Sequence, residues 1–319
     1  MNRVIRIGSR ESDLAVAQSR LVMEAIARFN PRLRLELVTM KALGDLRTET
    51  HAGIGTEFPM DPSPEAPGVS GGVKGLFTGR LEEALARGEV DLCVHSLKDM
   101  AEQTPDELPV VAMPKRGDPR DCLILPVGEG FRGFGDLRRL CGDRPVGSSS
   151  VRRRIQLHSL APSLRFAPIR GNVPTRIGKL DRGQYGALLL AAAGLERLGI
   201  SHRAAYAFPV REMIPAPGQG TLAVQGRRGE DYAFLDPIRD RLTEEEARAE
   251  RGFIRALAAG CASPAAVYAR ISGGEIRLSA LFAADTEAPF FRDAISGPRE
   301  EGPALAETLA RRLLKKAGR

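Results

Sequence analysis

Apolar and polar positions change period soon after the chain begins. "VIRIGSR", Val4–Arg10, alternates like a strand, and "DLAVAQSRLVMEAIARF", Asp13–Phe29, repeats its apolar residues every three to four positions. The second pattern predicts an amphipathic helix, with Ser12 placed to cap it. "RLELVTM" predicts another strand, "LFTGRLEEALARGEV" a helix and "VDLCVHS" a third strand. A second succession starts near "GDPRDCLILPV". It runs through the helix "FGDLRRL", the strand and turn "RPVGSSS", the helix "VRRRIQLHSL", the strand "LRFAPIR", the helix "VPTRIGKLDRG" and the buried strand "YGALLLAAA". Strands alternating with helices predict βαβ units and mostly parallel sheets. "IPAPGQGTLAVQGR" is a Pro- and Gly-broken crossover into one more strand. A long charged helix, "TEEEARAERGFIRALAAG", follows, then a hairpin turning at Gly273-Gly274 and an amphipathic helix, "PALAETLARRLLKKAG". These predict a C-terminal α+β unit. Between Gly44 and Gly72 periodicity vanishes in a Gly-, Pro- and acid-rich stretch, expected to be a long loop or lid. No internal repeat is visible.

At 319 residues the chain exceeds one ordinary core, so two or three domains are expected. A hydrophobic fraction of 43% is that of a soluble globular protein. No apolar run approaches the roughly 18 residues of a membrane helix. The N-terminus lacks a long apolar stretch with a cleavage site, so no signal peptide is expected and the cytoplasm is the expected compartment. Tryptophan is absent and aromatics are 5%, which argues against stacking-based nucleic-acid modules. The four cysteines, Cys93, Cys122, Cys141 and Cys261, form no Cys-x-x-Cys pair. Neither a metal site nor disulfides are expected.

The net charge of +7 is unevenly distributed. Between Arg144 and Arg182 stand nine Lys/Arg and one acid, Asp181; nine minus one is +8, which leaves the remainder near neutral. Such an excess calls for an anionic partner or a solvated face. "VGSSSVRRRIQL" places a Gly-Ser-Ser-Ser turn before a helix, an anion site in which Ser148, Ser150, Arg152 and Arg153 are the candidate donors. "IRGNVPTRIGKL" repeats the scheme with Arg170 and Arg176, and "IGSRES" does so with Arg10 and Ser12. In open α/β sheets the carboxyl ends of strands face one crevice. "VHSLKD" is a fourth strand end, where Lys98 joins the cations and Asp99 is the carboxylate among them, placed to offset positive charge or shuttle a proton. A helix-capping role for Asp99 fits the local pattern as well. His95 is expected to be a satisfied core histidine. Cys261 follows a helix with no His in local reach, so a protease-like dyad is not indicated, and packing is its ordinary role.

Taken in order, "RIGSRES", "GDLRTET", "KGLFTGRLEEAL", "DLCVHSLKD", "DPRDCLIL", "GSSSVRRRIQL", "RGNVPTRIGKLDRG", "AAAGLERLG", "PAPGQG" and Gly260-Cys261-x-x-Pro264 resemble the porphobilinogen deaminase (hydroxymethylbilane synthase) family over nearly the whole chain. The resemblance implies an α/β fold of two periplasmic-binding-protein-like lobes with mixed, mainly parallel sheets, plus a smaller α+β C-terminal domain. The implied domains are 1–114 with 220–239, then 115–219, then 240–319, with a crevice between the first two. It implies a transferase that condenses four porphobilinogens head to tail, with loss of ammonia, into linear 1-hydroxymethylbilane for tetrapyrrole synthesis. A dipyrromethane cofactor is implied, joined by a thioether to Cys261, with Asp99 catalytic. By the same resemblance Lys98, Ser148, Ser150, Arg152, Arg153, Arg170 and Gly194 hold the cofactor together with Asp99. Arg10, Ser12, Gln18, Phe77, Arg170 and Arg176 meet the substrate, and residues 44–72 form a lid. The product is expected to pass to a uroporphyrinogen-III synthase, and the chain is expected to be a monomer without nucleic-acid or membrane partners. The growing oligopyrrole is a polyanion, which accounts for converging arginines, and Asp99 suits the cationic azafulvene left when ammonia departs. The block around Lys74 departs from the family pattern by an inserted Val73, and the lid is longer and more acidic than usual. A non-catalytic two-lobed binder of a small polycarboxylate is the competing reading. It requires neither Asp99 amid cations nor a cysteine on a third domain. A nucleic-acid binder would carry its arginines along one stripe with aromatics between them, not at turns.

Overall fold

The computed structural model describes residues 4–41, 72–257, 264–285 and 289–319, with 72–78 described in backbone only. The expected lid below Gly72 and Cys261 lie outside the described residues. In chain order the first elements are β1 (Val4–Arg10), α1 (Asp13–Phe29), β2 (Arg34–Met40), α2 (Gly72–Ala86), β3 (Leu92–Ser96) and β4 (Val110–Ala112). Then come β5 (Asp121–Ile124), α3 (Phe134–Cys141), β6 (Val146–Gly147), α4 (Val151–Leu160), β7 (Phe166–Ala167), α5 (Val173–Asp181), β8 (Ala187–Ala191), α6 (Ala192–Arg197) and β9 (Ala204–Ala207). The chain continues with β10 (Leu222–Gln225), α7 (Arg241–Ala256), β11 (Ala265–Ser272), β12 (Glu275–Ala283), β13 (Phe290–Pro298) and α8 (Gly302–Lys316).

Two compact units result: Met1–Pro114 with Leu222–Arg239, and Lys115–Thr221 with Asp240–Arg319. The first holds a five-stranded sheet of order β2-β1-β3-β10-β4. β1 runs parallel to β2 and β3, and β10 is antiparallel to both β3 and β4, so four of the five strands share one direction. Ile5 and Ile7 of β1 and Val94 of β3 meet Val22 and Ile26 of α1, all at most 4% exposed. That spacing is the apolar stripe read from the sequence. On the other face Gly8 lies against β3: a Cβ there would come within 3.0 Å of Cys93 Sγ and 3.2 Å of Leu81. A side chain here would press on its neighbours by a few tenths of an ångström, and α2 supplies one of them, Leu81.

The second unit contains a sheet of order β7-β6-β8-β5-β9 with the same pattern of directions. The two lobes therefore repeat one topology without an audible sequence repeat. β5 and β8 are buried on both faces, which explains their continuous apolar runs. The same unit carries an antiparallel sheet, β11-β12-β13, whose turn at Gly273-Gly274 joins Ser272 to Glu275. Val267, Ala269, Ile271, Leu278 and Phe282 face Phe253 of α7 and Leu309 and Leu313 of α8, forming a separate core. Burial of side chains such as Phe253 and Phe282 stabilises it by about 2–3 kcal/mol each.

Several boundaries differ from the sequence reading. α2 starts at Gly72, earlier than the expected Leu76, and "YGALLLAAA" turns helical at Ala192. The strands near 146 and 166 shrink to two residues each. β13 was not foreseen: its "FFRDAISGP" is half-buried along most of its length and lacks a clean alternation.

Candidate active site

In the first unit, β3 ends at Ser96 and passes into a 3-10 turn, Leu97–Asp99. Leu97 is buried and anchors the turn, Lys98 is half-buried and Asp99 is exposed. Among the described residues no side-chain partner engages the Asp99 carboxylate. Gln18 is buried and its Nε2 donates to the Ser96 hydroxyl at 2.8 Å, so it braces the end of β3 next to Asp99. Ser12 caps α1, its Oγ accepting from the Ala15 N–H at 3.4 Å. Arg10 closes β1, half-buried. His95 is buried with Nε2 3.1 Å from Gln225 Oε1, and burial pushes its pKa down to about 4. It is neutral at physiological pH, a core histidine as read from the sequence. Burial likewise pushes the Cys122 thiol up to about 12. The Phe77 and Lys74 side chains lie outside the described residues, as does Cys261.

In the second unit the serine turn behaves as a helix start. Ser150 caps α4 by accepting from the Arg153 N–H at 3.4 Å, and buried Ser148 accepts from the Ser150 N–H at 3.3 Å. Arg152 and Arg153 are 7% and 8% exposed. Both turn onto Asp121, the first residue of β5. Arg152 Nη1 donates to Asp121 Oδ2 at 2.6 Å and Arg153 Nε to Oδ1 at 2.8 Å. Further donations run from Arg152 Nη1 to the Ile214 carbonyl at 2.8 Å and from Arg153 Nη1 to the Leu189 carbonyl at 2.9 Å. Gln219 Nε2 adds a bond to Asp121 Oδ1 at 3.0 Å. Burial pushes the Asp121 carboxyl up, but the two guanidiniums overcome it and hold it well below the usual carboxylate range. Burial also lowers the Arg152 pKa.

Among the described residues two guanidiniums meet one carboxylate, an excess of one buried positive charge. An uncompensated buried charge costs several kcal/mol, and an anion arriving there repays it. A group bearing carboxylates fits that need, with bidentate guanidinium geometry available.

The second Arg turn is arranged differently. Asn172 caps α5 through the Thr175 N–H at 2.9 Å, and Arg176 Nε donates to the Gly171 carbonyl at 2.7 Å. Gly171 has φ +109, and a Cβ there would come within 2.8 Å of Thr175; no other residue fits this turn readily. Arg170 is exposed, and its carbonyl accepts from Lys179. Gly194 is buried within α6. Sequence reasoning missed Asp121 and Gln219. A carboxylate opening an otherwise apolar strand, Asp121-Cys122-Leu123-Ile124, was the signal available.

Comparison by sequence points to one family. The family model "Porphobilinogen deaminase, dipyromethane cofactor binding domain" matches residues 5–234, and "Porphobilinogen deaminase, C-terminal domain" matches 245–315. The porphobilinogen deaminase of Ruminiclostridium josui is 43% identical over 309 residues, covering 97% of each chain. That of Acetivibrio thermocellus is 42% identical over 314 residues, 98% of this chain and 99% of the relative. Among solved structures, the BenM effector binding domain with benzoate is 14% identical with TM-score 0.41, covering 74% of this chain and 88% of its own. The aliphatic sulphonate binding protein SsuA from Escherichia coli is 12% identical with TM-score 0.36, covering 80% of this chain and 69% of its own. By sequence over nearly its full length, the chain belongs to the porphobilinogen deaminase family.

Proposed function

We propose that the chain condenses four porphobilinogen molecules head to tail, releases ammonia at each step, and frees linear 1-hydroxymethylbilane by hydrolysis. It is a transferase of tetrapyrrole biosynthesis. The observation that carries this reading is the full-length family match, in a chain that sets two buried arginines, Arg152 and Arg153, against one carboxylate among the described residues, Asp121.

Dipyrromethane, when bound, supplies a covalently held primer with a pyrrole terminus and carboxylate side groups. Cys261 would hold it by a thioether. Arg152, Arg153 and Arg170 would hold its carboxylates, with Lys98, Ser148, Ser150 and Gly194 alongside. Arg10 and Arg176 pair with the acetate and propionate of incoming porphobilinogen. Ser12 and Gln18 serve the same end by fixing the start of α1 and the end of β3, and Phe77, whose side chain lies outside the described residues, is proposed to meet the substrate. Asp99 accepts the pyrrole N–H and offsets the positive charge that appears on the substrate as ammonia leaves. Its exposed, uncommitted carboxylate supports that role. The three-domain division read from the sequence keeps the cofactor cysteine on 240–319 and the lid on the first domain. Among the described residues no helix is long and apolar enough to cross a membrane. We place the enzyme in the cytosol as a monomer that hands its reactive linear product to a uroporphyrinogen-III synthase.

Intact mass tests the reading directly. The purified chain is expected to carry an excess of two pyrrole units, absent in Cys261→Ser, and to consume porphobilinogen. Asp99→Asn is expected to fold, keep the added mass and lose nearly all turnover. An unmodified mass after expression with ample porphobilinogen sinks the covalent assignment; full turnover by Asp99→Asn sinks the catalytic one.

A further inference from the structure

The face of the C-terminal sheet opposite its core packs on Ile214 through Ala266 and Leu281, and beyond them it carries cations that the reaction above does not use. A cavity of about 480 Å³ lies against it, lined by Arg211, Tyr268, Arg270, Arg277, Ser279 and Arg292. The register explains how they meet. Arg270 pairs directly with Arg277, and Tyr268 with Ser279, on neighbouring strands. With period-two alternation these side chains share the face opposite the Val267–Ala269–Ile271 core. Like charges directly opposite on adjacent strands destabilise a sheet. The acids nearby do not cancel the set. Arg270 lies 3.8 Å from Glu246, which also lies 3.8 Å from Arg116. Arg211 reaches Glu212 only at 4.0 Å, and the lining Asp293 is taken by Lys316 at 2.9 Å. Among the described residues Arg277 makes one side-chain hydrogen bond, at 3.5 Å to the Ser296 hydroxyl.

Arg292 is a second, independent observation. Its Nη1 donates to the Arg211 carbonyl at 2.7 Å, and its Nη2 donates to the Glu212 carbonyl at 2.9 Å and to Gln156 Oε1 at 3.2 Å. Its Nε is buried with no hydrogen-bond partner, and among the described residues no carboxylate pairs with it. The cavity also has an apolar wall, Val210, Ile214 and Ala294. A bare inorganic oxyanion uses the arginines but not that wall. A carbon skeleton bearing several carboxylates uses both.

We infer that this cavity is a second anion site, distinct from the Arg152–Arg153 cluster, that takes a small organic polycarboxylate. Isothermal titration of the full chain with citrate, as the probe tricarboxylate at fixed ionic strength, tests it. Binding is expected to weaken about tenfold or more in Arg270→Gln/Arg277→Gln, since two charge-assisted contacts are lost. It is expected to persist in Arg170→Gln, which removes an exposed cation assigned above to the cofactor and substrate. Both substituted strand arginines are exposed, and the Arg270→Lys/Arg277→Lys control keeps the charge and most of the affinity. Inorganic phosphate is expected to bind more weakly than citrate. Absence of citrate binding, equal binding by the double Gln variant, or loss confined to Arg170→Gln overturns the site. Phosphate binding as tightly as citrate overturns the polycarboxylate assignment.

Discussion

The side-chain amide of Gln156 clasps the backbone of Ile214: its Oε1 accepts from the Ile214 N–H at 2.8 Å, and its Nε2 donates to the Ile214 carbonyl at 3.1 Å. That carbonyl also accepts from Arg152 Nη1. A wholly buried glutamine on α4 thus orients the peptide that helps orient the arginine four residues before it.

Gln156→Leu removes the acceptor of the Ile214 N–H, one of the two side-chain donors to the Ile214 carbonyl and one acceptor of Arg292. Stranded buried donors and acceptors cost about 1–3 kcal/mol each, so a loss of roughly 2–4 kcal/mol in unfolding free energy is expected. Gln156→Glu keeps the acceptor and is expected to lose less. A urea midpoint for the Leu variant equal to that of the parent contradicts the clasp.

Asp121→Asn leaves two buried guanidiniums without a counter-charge. Removing one partner of a buried ion pair costs about 3–5 kcal/mol, and this cluster lies at the upper part of that range because both arginines lose it. The Asp121 carboxyl is held below its ordinary value of 3.8. Its stabilisation is therefore present above that pH and lost as pH falls through the lower folded-state value. The Asn variant is expected to show less acid dependence below about pH 4 than the parent, measured by denaturant unfolding across pH.

For His95 the direction of linkage is set by a lowered pKa in a basic group. Burial holds the folded-state value at about 4, against an ordinary 6.5. Between those values the unfolded chain binds a proton that the folded chain refuses. Stability from this group is complete above 6.5 and declines as pH drops toward 4, by about 3 kcal/mol in all. His95→Asn is expected to flatten the stability profile across that window. An unchanged slope means that the histidine titrates normally in the native state.

Glu250 is fully buried and joins four donors. Its Oε1 accepts from Arg116 Nη1 at 2.7 Å and from the Ala269 N–H at 2.8 Å; its Oε2 accepts from the Gly218 N–H at 2.6 Å and Arg116 Nη2 at 3.3 Å. This ties α7 to β11 and to the "PAPGQG" segment. Glu250→Ala is expected to cost about 3–5 kcal/mol, because Arg116 stays buried with Glu246, at 3.8 Å, as its remaining carboxylate among the described residues. Glu250→Gln is expected to retain part of that. Amide exchange around Gly218 should quicken in the Ala variant; unaltered protection there argues against the tie.

Much of the architecture was legible because it is local. The helix start at Ser12 puts an acceptor before an orphan N–H, and a few residues of context suffice to see that; Ser150 and Asn172 do the same but were not read as caps. The Gly273-Gly274 hairpin and the stripe on α1 are equally local. β13 escaped because half-burial of nearly every residue erases the period that sequence reading relies on. The repeated lobe topology escaped because strand order depends on β10 and β5, each inserted antiparallel from a distant stretch of chain.

By itself the sequence determined that arginines gather at strand-to-helix turns, that Asp99 stands at the end of an apolar strand, and that the motifs follow one family's order. Periodicity and turn chemistry act over a few residues, so those features survive in one dimension. Only the tertiary structure decided that Arg152 and Arg153 would turn inward onto Asp121, some thirty residues earlier in the chain. Which charges neutralise one another is set by distance through a low-dielectric interior, and only folding fixes that distance.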